Sequence, residues 1–153
     1  MSFANSMVTN RTQEDVSIAE TLRLKIQSGI ALTEEEKIKF ERGACTITML
    51  NRIENAKLEL KNLLNPKGYY IDTDYNQYSY SDIFYYNNYK TFIDDIKRIR
   101  NNFYMPYSPK APDYLYGYVE ANNIEKIFVD IETYVNKMVE KYRYCGDYIC
   151  GSD

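Results

Sequence analysis

The sequence of 153 residues contains neither histidine nor tryptophan. Histidine is the commonest general base and metal-binding side chain near neutral pH, so its absence excludes every Ser–His or Cys–His catalytic pair. The six glycines stand singly, and none opens a helix within a phosphate-binding loop. No segment approaches the ~20 apolar residues of a membrane helix. The N-terminus lacks the charged-then-apolar layout of a signal peptide, so we expect neither secretion nor membrane insertion.

A basic excess is also missing, because the net charge is −3 and the pI is about 5.1. This balance argues against a nucleic-acid partner, since few cations are left to neutralise phosphates. The three cysteines do not form an even framework. Cys145 and Cys150 flank a four-residue turn sequence and could form a disulfide outside the cytosol, or could remain two small, partly buried thiols.

One short string has the spacing of a metal site. Asp72, Asp74 and Asn76 occupy the first three ligand positions of a calcium loop. Gln77 replaces the glycine of the sixth position, however, and Ile83 replaces the bidentate glutamate of the twelfth. We therefore interpret the string as a solvated acidic turn and expect no metal and no organic cofactor.

Apolar residues at helical spacing and capping sequences predict five helices. Their expected bounds are 13–28 after an N-cap at Thr12, 34–42 after an N-cap at Thr33, from Thr46 or Thr48 to Asn65, 89–103, and 118–142. The tail from residue 142 to 153 resembles a short hairpin that turns at Gly146 and Asp147. The sequence thus predicts a mainly α fold, a small helical bundle with an extended N-terminal arm, a Tyr-rich irregular or short-strand segment and a C-terminal β-hairpin.

Two segments are expected within one compact unit. Residues 1–65 would form the arm and a three-helix module, and residues 66–153 would form the Tyr-rich segment, two longer helices and the hairpin. Three helices carry a related core, which reads LNRIENAKL, IKRIRNNF and ANNIEKIF in turn. Either an internal repeat or chance similarity between amphipathic helices accounts for it.

Tyrosine is the compositional anomaly, with 17 copies, of which 13 lie between Tyr69 and Tyr118. Tyrosine offers a large amphipathic contact area at low rotamer cost, and binding surfaces are therefore rich in it. The belt could be a protein interface, internal packing or a contact for sugars.

Three motifs together resemble the N-terminal module of tail and baseplate proteins from phages, prophages and phage-derived particles, such as R-type bacteriocins, of low-GC Gram-positive bacteria. The motifs are NRTQEDV, LTEEEKIKFERGA and TMLNRIENAKLELKNLL, in the same order. YVEANNIEKI also resembles the opening of a later helix of that group, and YRYCGDYICGSD resembles its closing segment. Cys145 and Cys150 depart from the pattern, because small polar residues are expected there.

The resemblance implies a non-enzymatic building block of a tail, most reasonably at the baseplate or at a fibre attachment. Its partners would be other tail, baseplate or fibre proteins in several copies, and it would be assembled in the bacterial cytoplasm into the tail of a virion or phage-like particle. The polar arm would become ordered on a neighbouring chain. Candidate interface residues are Arg11, Gln13, Arg52, Glu54, Tyr85, Tyr86, Tyr89 and Tyr116.

Two other functions stay open at this point. The tyrosine belt could recognise cell-surface glycans, in which case Tyr85 and Tyr86 would carry adsorption. A carboxylate-dependent hydrolase would depend instead on Asp72 or Asp74. No catalytic residue is predicted in the tail-protein interpretation.

Overall fold

The structure is a computed structural model that describes residues 3–43, 45–79 and 86–146. Within these residues the chain forms five α-helices and no β-strand, which confirms the prediction of a mainly α fold. The helices are α1 (Gln13–Gln27), α2 (Glu34–Gly43), α3 (Ile47–Leu64), α4 (Tyr86–Asn101) and α5 (Tyr118–Gly146). None of the helices in these ranges is both long and apolar enough to span a lipid bilayer.

The starts of α1 and α2 are fixed by reciprocal capping, as predicted. The Thr12 hydroxyl accepts a hydrogen bond from the backbone N–H of Asp15, whose carboxylate accepts one from the N–H of Thr12. Thr33 and Glu36 form the same pair of bonds at the start of α2. Gly29 ends the first helix with a φ of 76°, a left-handed conformation that glycine adopts without strain.

The third helix is capped by Thr46, whose hydroxyl accepts from the N–H of Met49. It passes into a 3-10 turn (Asn65–Lys67), and Gly68, with a φ of 83°, closes that turn. The sequence NPKG thus ends the helix where expected, because Pro66 fits the first turn of a helical segment, where its missing N–H is not needed, and glycine fits the left-handed exit.

Helices α3, α4 and α5 enclose the hydrophobic core. Their predicted apolar stripes face one another, and Ile53, Ile99 and Ile124 at the centre are essentially inaccessible to solvent. Residues from both predicted segments contribute, since Phe3 of the arm and Ile71 of the Tyr-rich segment belong to the same cluster. The core therefore depends on contacts between parts of the chain that are far apart in sequence.

Helices α1 and α2 form an antiparallel hairpin that packs mainly on itself. At its base, Arg42 Nε donates to Asp15 Oδ1 at 2.9 Å and the Arg42 guanidinium also reaches the carbonyl of Asn10 at 3.1 Å. Gly43 is buried against α1, where an added Cβ would lie 1.9 Å from the carbonyl oxygen of Asp15. A side chain at Gly43 would therefore force the two helices apart.

Sequence and structure differ at α4, which spans Tyr86–Asn101 instead of the predicted 89–103, and at the predicted strands. Residues 69–79 contain neither helix nor strand, and residues 80–85 lie outside the described residues. Helix α5 continues to Gly146, four residues beyond its predicted end at Tyr142, so the first part of the expected β-hairpin is helical. The rest of that hairpin, with Cys150, lies outside the described residues.

Candidate interaction site

The Asn-Arg-Ile-Glu sequence of α3 binds the Tyr-rich segment. The amide of Asn51 accepts from the backbone N–H of Tyr78 at 2.8 Å and donates to the carbonyl of the same residue at 2.9 Å. Glu54, one turn later, accepts from the N–H of Asn76 at 3.0 Å. Ile53 lies between them in sequence and points into the core. The motif therefore presents an apolar face inward and holds an extended segment with its polar residues.

The corresponding sequence of α5 binds the N-terminal arm in the same manner. Asn122 accepts from the N–H of Arg11 and donates to its carbonyl, each at 3.0 Å. Glu125 accepts from the N–H of Val8, and Ile124 is buried. The two Asn-x-Ile-Glu sequences thus share a geometry as well as residues. Each asparagine binds both backbone groups of one residue in an extended segment. Each glutamate binds the backbone N–H of a residue two or three positions earlier in the same segment.

The third related helix, α4, holds its extended segment through a cation. Arg100 occupies the position that corresponds to Glu54, and it donates to main-chain carbonyls of the following connector instead of accepting from N–H groups. Its partners are the carbonyl oxygens of Phe103, Met105, Ser108 and Pro109, at 3.2, 2.7, 3.4 and 3.0 Å. This connector contains no regular secondary structure, so its conformation depends on these bonds.

Buried ion pairs lie beneath the two Asn-x-Ile-Glu sequences. Glu125 receives the guanidinium of Arg11 at 3.1 Å and that of Arg52 at 2.8 Å. Lys57 contacts Glu54 at 3.0 Å and Asp95 of α4 at 2.7 Å. All of these side chains except Arg52 are almost fully buried.

Burial raises the pKa of Glu54, because desolvation penalises its charged form more than the Asn76 hydrogen bond and Lys57 favour it. Burial likewise raises the pKa of Tyr78, to about 12. Breaking either ion-pair cluster would leave a charge without a partner in the core.

Three predicted interface residues therefore have partners inside the chain. Arg11 and Glu54 are buried in these clusters, and Arg52 is mostly covered by its contact with Glu125. Arg52 and Glu54 were candidates for contacts with neighbouring chains, but in this structure Glu54 faces α4 and Arg52 faces α5. Ile53, between them in sequence, faces inward. Gln13, by contrast, is exposed at the first position of α1.

The four predicted tyrosines lie in different settings. Tyr85 lies outside the described residues, and Tyr86 begins α4. Tyr89 is half-buried, and its hydroxyl accepts a hydrogen bond from the N–H of Leu115. Tyr116 is 82% exposed and lies against Tyr114, with ring centroids 5.3 Å apart. Tyr116 thus keeps the predicted surface position, and Tyr89 supports the loop that carries it.

The N-terminal arm is ordered on its own chain, which corrects the expectation that it needs a neighbour. Glu132 accepts from the backbone N–H groups of Phe3 and Ala4 at 3.0 and 3.1 Å. The Phe3 ring is buried against Phe128 in an edge-to-face contact, with centroids 6.4 Å apart. Together with the Asn122 and Glu125 contacts, these bonds fix the arm along α5.

The free end of the α1–α2 hairpin is the main exposed aliphatic surface of the described residues. Leu24 is 59% exposed, Ile26 45%, Ile30 53% and Ile38 70%. Between the helices lies a cleft of about 500 Å³ with a mostly aliphatic lining that includes Ile26, Ile30 and Leu32. Val16, Ala19, Leu22 and Ile26 recur at helical spacing along α1, but only Ala19 and Leu22 of these are buried. We call the four exposed side chains Leu24, Ile26, Ile30 and Ile38, together with this cleft, the aliphatic tip.

The two carboxylates predicted for a hydrolase do not come together in an enclosed site. Asp72 and Asp74 are both exposed, and no group of three or more Cys, Asp or Glu side chains in that part is placed to hold a metal ion. Cys45 lines a cleft of about 290 Å³ at the base of the hairpin, and desolvation there raises the pKa of its thiol. Its reactive thiolate is therefore disfavoured at neutral pH. The Cys145–Cys150 disulfide stays a prediction.

Comparisons of this chain with protein-family models, with curated proteins and with solved structures gave no match. The motifs and the surface geometry are therefore the observations from which function can be argued.

Proposed function

We propose that this protein is a structural component of a phage-type tail, at the baseplate or at a fibre attachment, and that it acts by docking to other tail proteins. The motif order described above supports the tail assignment. The aliphatic tip is the observation that carries the docking function, because an exposed aliphatic surface of this kind is typical of a protein interface. Several copies in a closed ring would be expected in such a particle.

The hairpin is built to present that tip in a fixed orientation. Its base is held by the Asp15–Arg42 ion pair and by the close approach at Gly43. Nearer the tip, Lys25 contacts both carboxylate oxygens of Glu36, at 2.7 and 2.8 Å. A surface that is already ordered loses less conformational entropy on binding, so its apolar contacts translate more fully into affinity.

The motif residues have a place in this proposal even though they are not on the surface. Arg11, Asp15, Gly43, Arg52 and Glu125 come from four separate motifs, and they meet where the arm, the hairpin, α3 and α5 join. Contacts of this kind hold the α1–α2 hairpin in one orientation relative to α3 and α5. In the proposed tail protein, these contacts set the direction in which the aliphatic tip projects.

The test is co-sedimentation of the protein with tails from gently lysed cells of the bacterium that carries the gene. The double variant Ile30→Asp/Ile38→Asp places two charges on the aliphatic tip. Because both side chains are exposed, we expect stability to change by less than ~0.5 kcal/mol. Charges buried in a protein interface should nevertheless lower the amount that pellets by about tenfold or more.

A matched control is Val119→Asp, which charges a half-exposed aliphatic side chain on α5, away from the tip. The control should pellet like the unmodified protein. The proposal fails if the unmodified protein stays in the supernatant while tails pellet. The assignment of docking to the aliphatic tip fails if the double variant pellets as well as Val119→Asp.

Recognition of a cell-surface glycan by the same particle is the second candidate function. The exposed tyrosines favour it, because aromatic faces outside a core are suited to stacking on sugar rings. Of the two residues first predicted for this role, Tyr85 lies outside the described residues and Tyr86 is the first residue of α4. Other tyrosines, around the end of α4, define a more specific site.

A further inference from the structure

Three tyrosines surround a cleft between the connector that follows α4 and the outer face of α5. Tyr107 is 99% exposed, Tyr104 83% and Tyr134 37%, and the cleft has a volume of about 290 Å³. These rings add little to the core, since among the described rings only Tyr134 of the three packs on a core ring, at 5.9 Å from Phe103. Three large aromatic side chains therefore lie around a solvent-facing cleft.

Apart from Met105 and Pro106, the remaining lining of the cleft is polar and carries a net positive charge. Lys126, Asp130, Thr133 and Lys137 follow one face of α5 at helical spacing. Asp130 is neutralised by its ion pair with Lys126. Lys137 has no ion-pair partner among the described residues, so two lysines and one aspartate leave one net positive charge beside the rings.

The connector side of the cleft is held in place by α4. Arg100 donates to the carbonyls of Met105 and Ser108, on either side of Tyr107 in sequence. Ser108 also lines the cleft, although its hydroxyl is buried. A cleft whose backbone is already held in one conformation is partly formed before a ligand binds.

We propose that this cleft binds a saccharide that bears a negatively charged substituent, such as a phosphate or a carboxylate. The C–H faces of a sugar ring would stack on Tyr104 and Tyr107, and its hydroxyl groups would meet Thr133 and Asp130. Lys137 would pair with the charged substituent. This inference develops the second candidate function, but it requires only the isolated protein and does not depend on docking to a tail.

The chemistry of the lining favours a sugar over a protein partner. Leucine, isoleucine and valine are absent from the residues that line this cleft, whereas they form the aliphatic tip. A protein partner gains most of its affinity from large anchors buried in well-packed, fully desolvated pockets, whereas Tyr104 and Tyr107 lie on an open surface. A sugar needs flat aromatic faces beside hydroxyl, carboxylate and ammonium groups, and this cleft supplies all of these.

The test is binding of the full chain to an array that pairs neutral bacterial oligosaccharides with their phosphorylated and carboxylated counterparts. We expect saturable binding that is stronger for the charged member of a pair. Loss of one stacking ring in Tyr107→Ala should weaken binding about three- to tenfold. Lys137→Gln should remove the preference for the charged member and leave binding of the neutral one unchanged.

Tyr70→Ala is the matched control, because Tyr70 is 74% exposed and lies outside the cleft. It should bind like the unmodified chain, and Tyr107→Phe should retain most of the binding because it keeps the ring. A poly-glutamate peptide serves as a competing acidic probe. The inference is overturned if no glycan on the array binds, if Tyr107→Ala binds like Tyr70→Ala, or if the peptide displaces the charged saccharide at equal concentration.

Discussion

The α3–α5 core and the α1–α2 hairpin differ in how far they bury isoleucines and ion pairs. In the core, Ile53 and Ile124 are fully buried, whereas Ile30 and Ile38 of the hairpin are more than half exposed. The core also buries its ion pairs, of which Lys57 with Glu54 and Asp95 is the clearest. The hairpin leaves its pairs in partial contact with water, as for Lys25 with Glu36.

This difference indicates that the two regions were shaped by different demands. The core covers its apolar faces and pairs its buried charges, as a stable domain requires. The hairpin is closely packed at its base, but its aliphatic tip is exposed to solvent. In the proposed docking function, another tail protein would cover the isoleucines that the hairpin leaves exposed. Three predictions test that contrast.

Removing the buried cation of the core should have the largest effect. Lys57→Met would leave Glu54 without a cation and Asp95 with only the half-exposed guanidinium of Arg98, at 3.7 Å. We therefore expect the free energy of unfolding to fall by about 3–5 kcal/mol. Urea denaturation followed by circular dichroism measures this loss. Lys67→Met, at an exposed position, should change stability by less than ~0.5 kcal/mol.

The triple variant Lys57→Met/Glu54→Gln/Asp95→Asn distinguishes charge from shape. It removes the two carboxylates together with the cation, and should recover much of the lost stability because no unpaired charge remains. A loss below about 1 kcal/mol in Lys57→Met would contradict the view that this pair is tightly buried in the core.

A smaller and more local effect is expected at the base of the hairpin. The Cβ of Gly43→Ala would collide with the Asp15 carbonyl, so α1 and α2 must separate at a cost of about 1–3 kcal/mol. Amide hydrogen exchange should show faster exchange in α1 and α2, with α3–α5 nearly unchanged. Gly117→Ala is the control, because its nearest new contact would be 3.7 Å from Glu120 Oε2. Equal protection in both variants would show that the hairpin does not require this close approach.

The helices, and most of their boundaries, could be predicted from the sequence because the signals are local. Thr12 with Asp15 and Thr33 with Glu36 act across one turn, and Gly29 needs only its own backbone freedom. The prediction of a C-terminal β-hairpin did not rest on capping signals of this kind. A glycine at position 146 resembled a turn residue, but α5 has enough apolar residues to continue to that point.

The roles of the Asn-x-Ile-Glu sequences could not be predicted, because their partners are distant. Asn122 binds Arg11 across 111 positions, and Glu125 takes both Arg11 and Arg52. The related sequences were visible, and polar residues flanking a buried isoleucine suggested contacts outside the chain. In fact this chain supplies its own extended segments to them. The aliphatic tip was missed for the same reason, since helical spacing marks an apolar face but does not show whether another element covers it.

The smallest expected effect is a difference in pH dependence between the two regions. The backbone N–H of Thr12 lowers the pKa of Asp15 below its ordinary 3.8, and Lys25 lowers that of Glu36 below 4.5. A carboxylate with a lowered pKa in the folded state stabilises the fold above its unfolded-state pKa, and this contribution is lost as pH falls through the folded value. Glu54 of the core has the opposite sign, because its raised pKa makes the folded state the better proton acceptor.

Acid should therefore loosen the hairpin before the core. Between about pH 5 and pH 3, amide exchange corrected for its intrinsic rate should accelerate in α1 and α2 ahead of α3. Asp15→Asn should reduce the pH dependence of the hairpin, because the group whose protonation loosens the base is gone, and leave that of α3 unchanged. If both regions lose protection in parallel, the hairpin is not an independent unit. Its capping carboxylates would then contribute to one cooperative fold, and the contrast between the two regions would be confined to their surfaces.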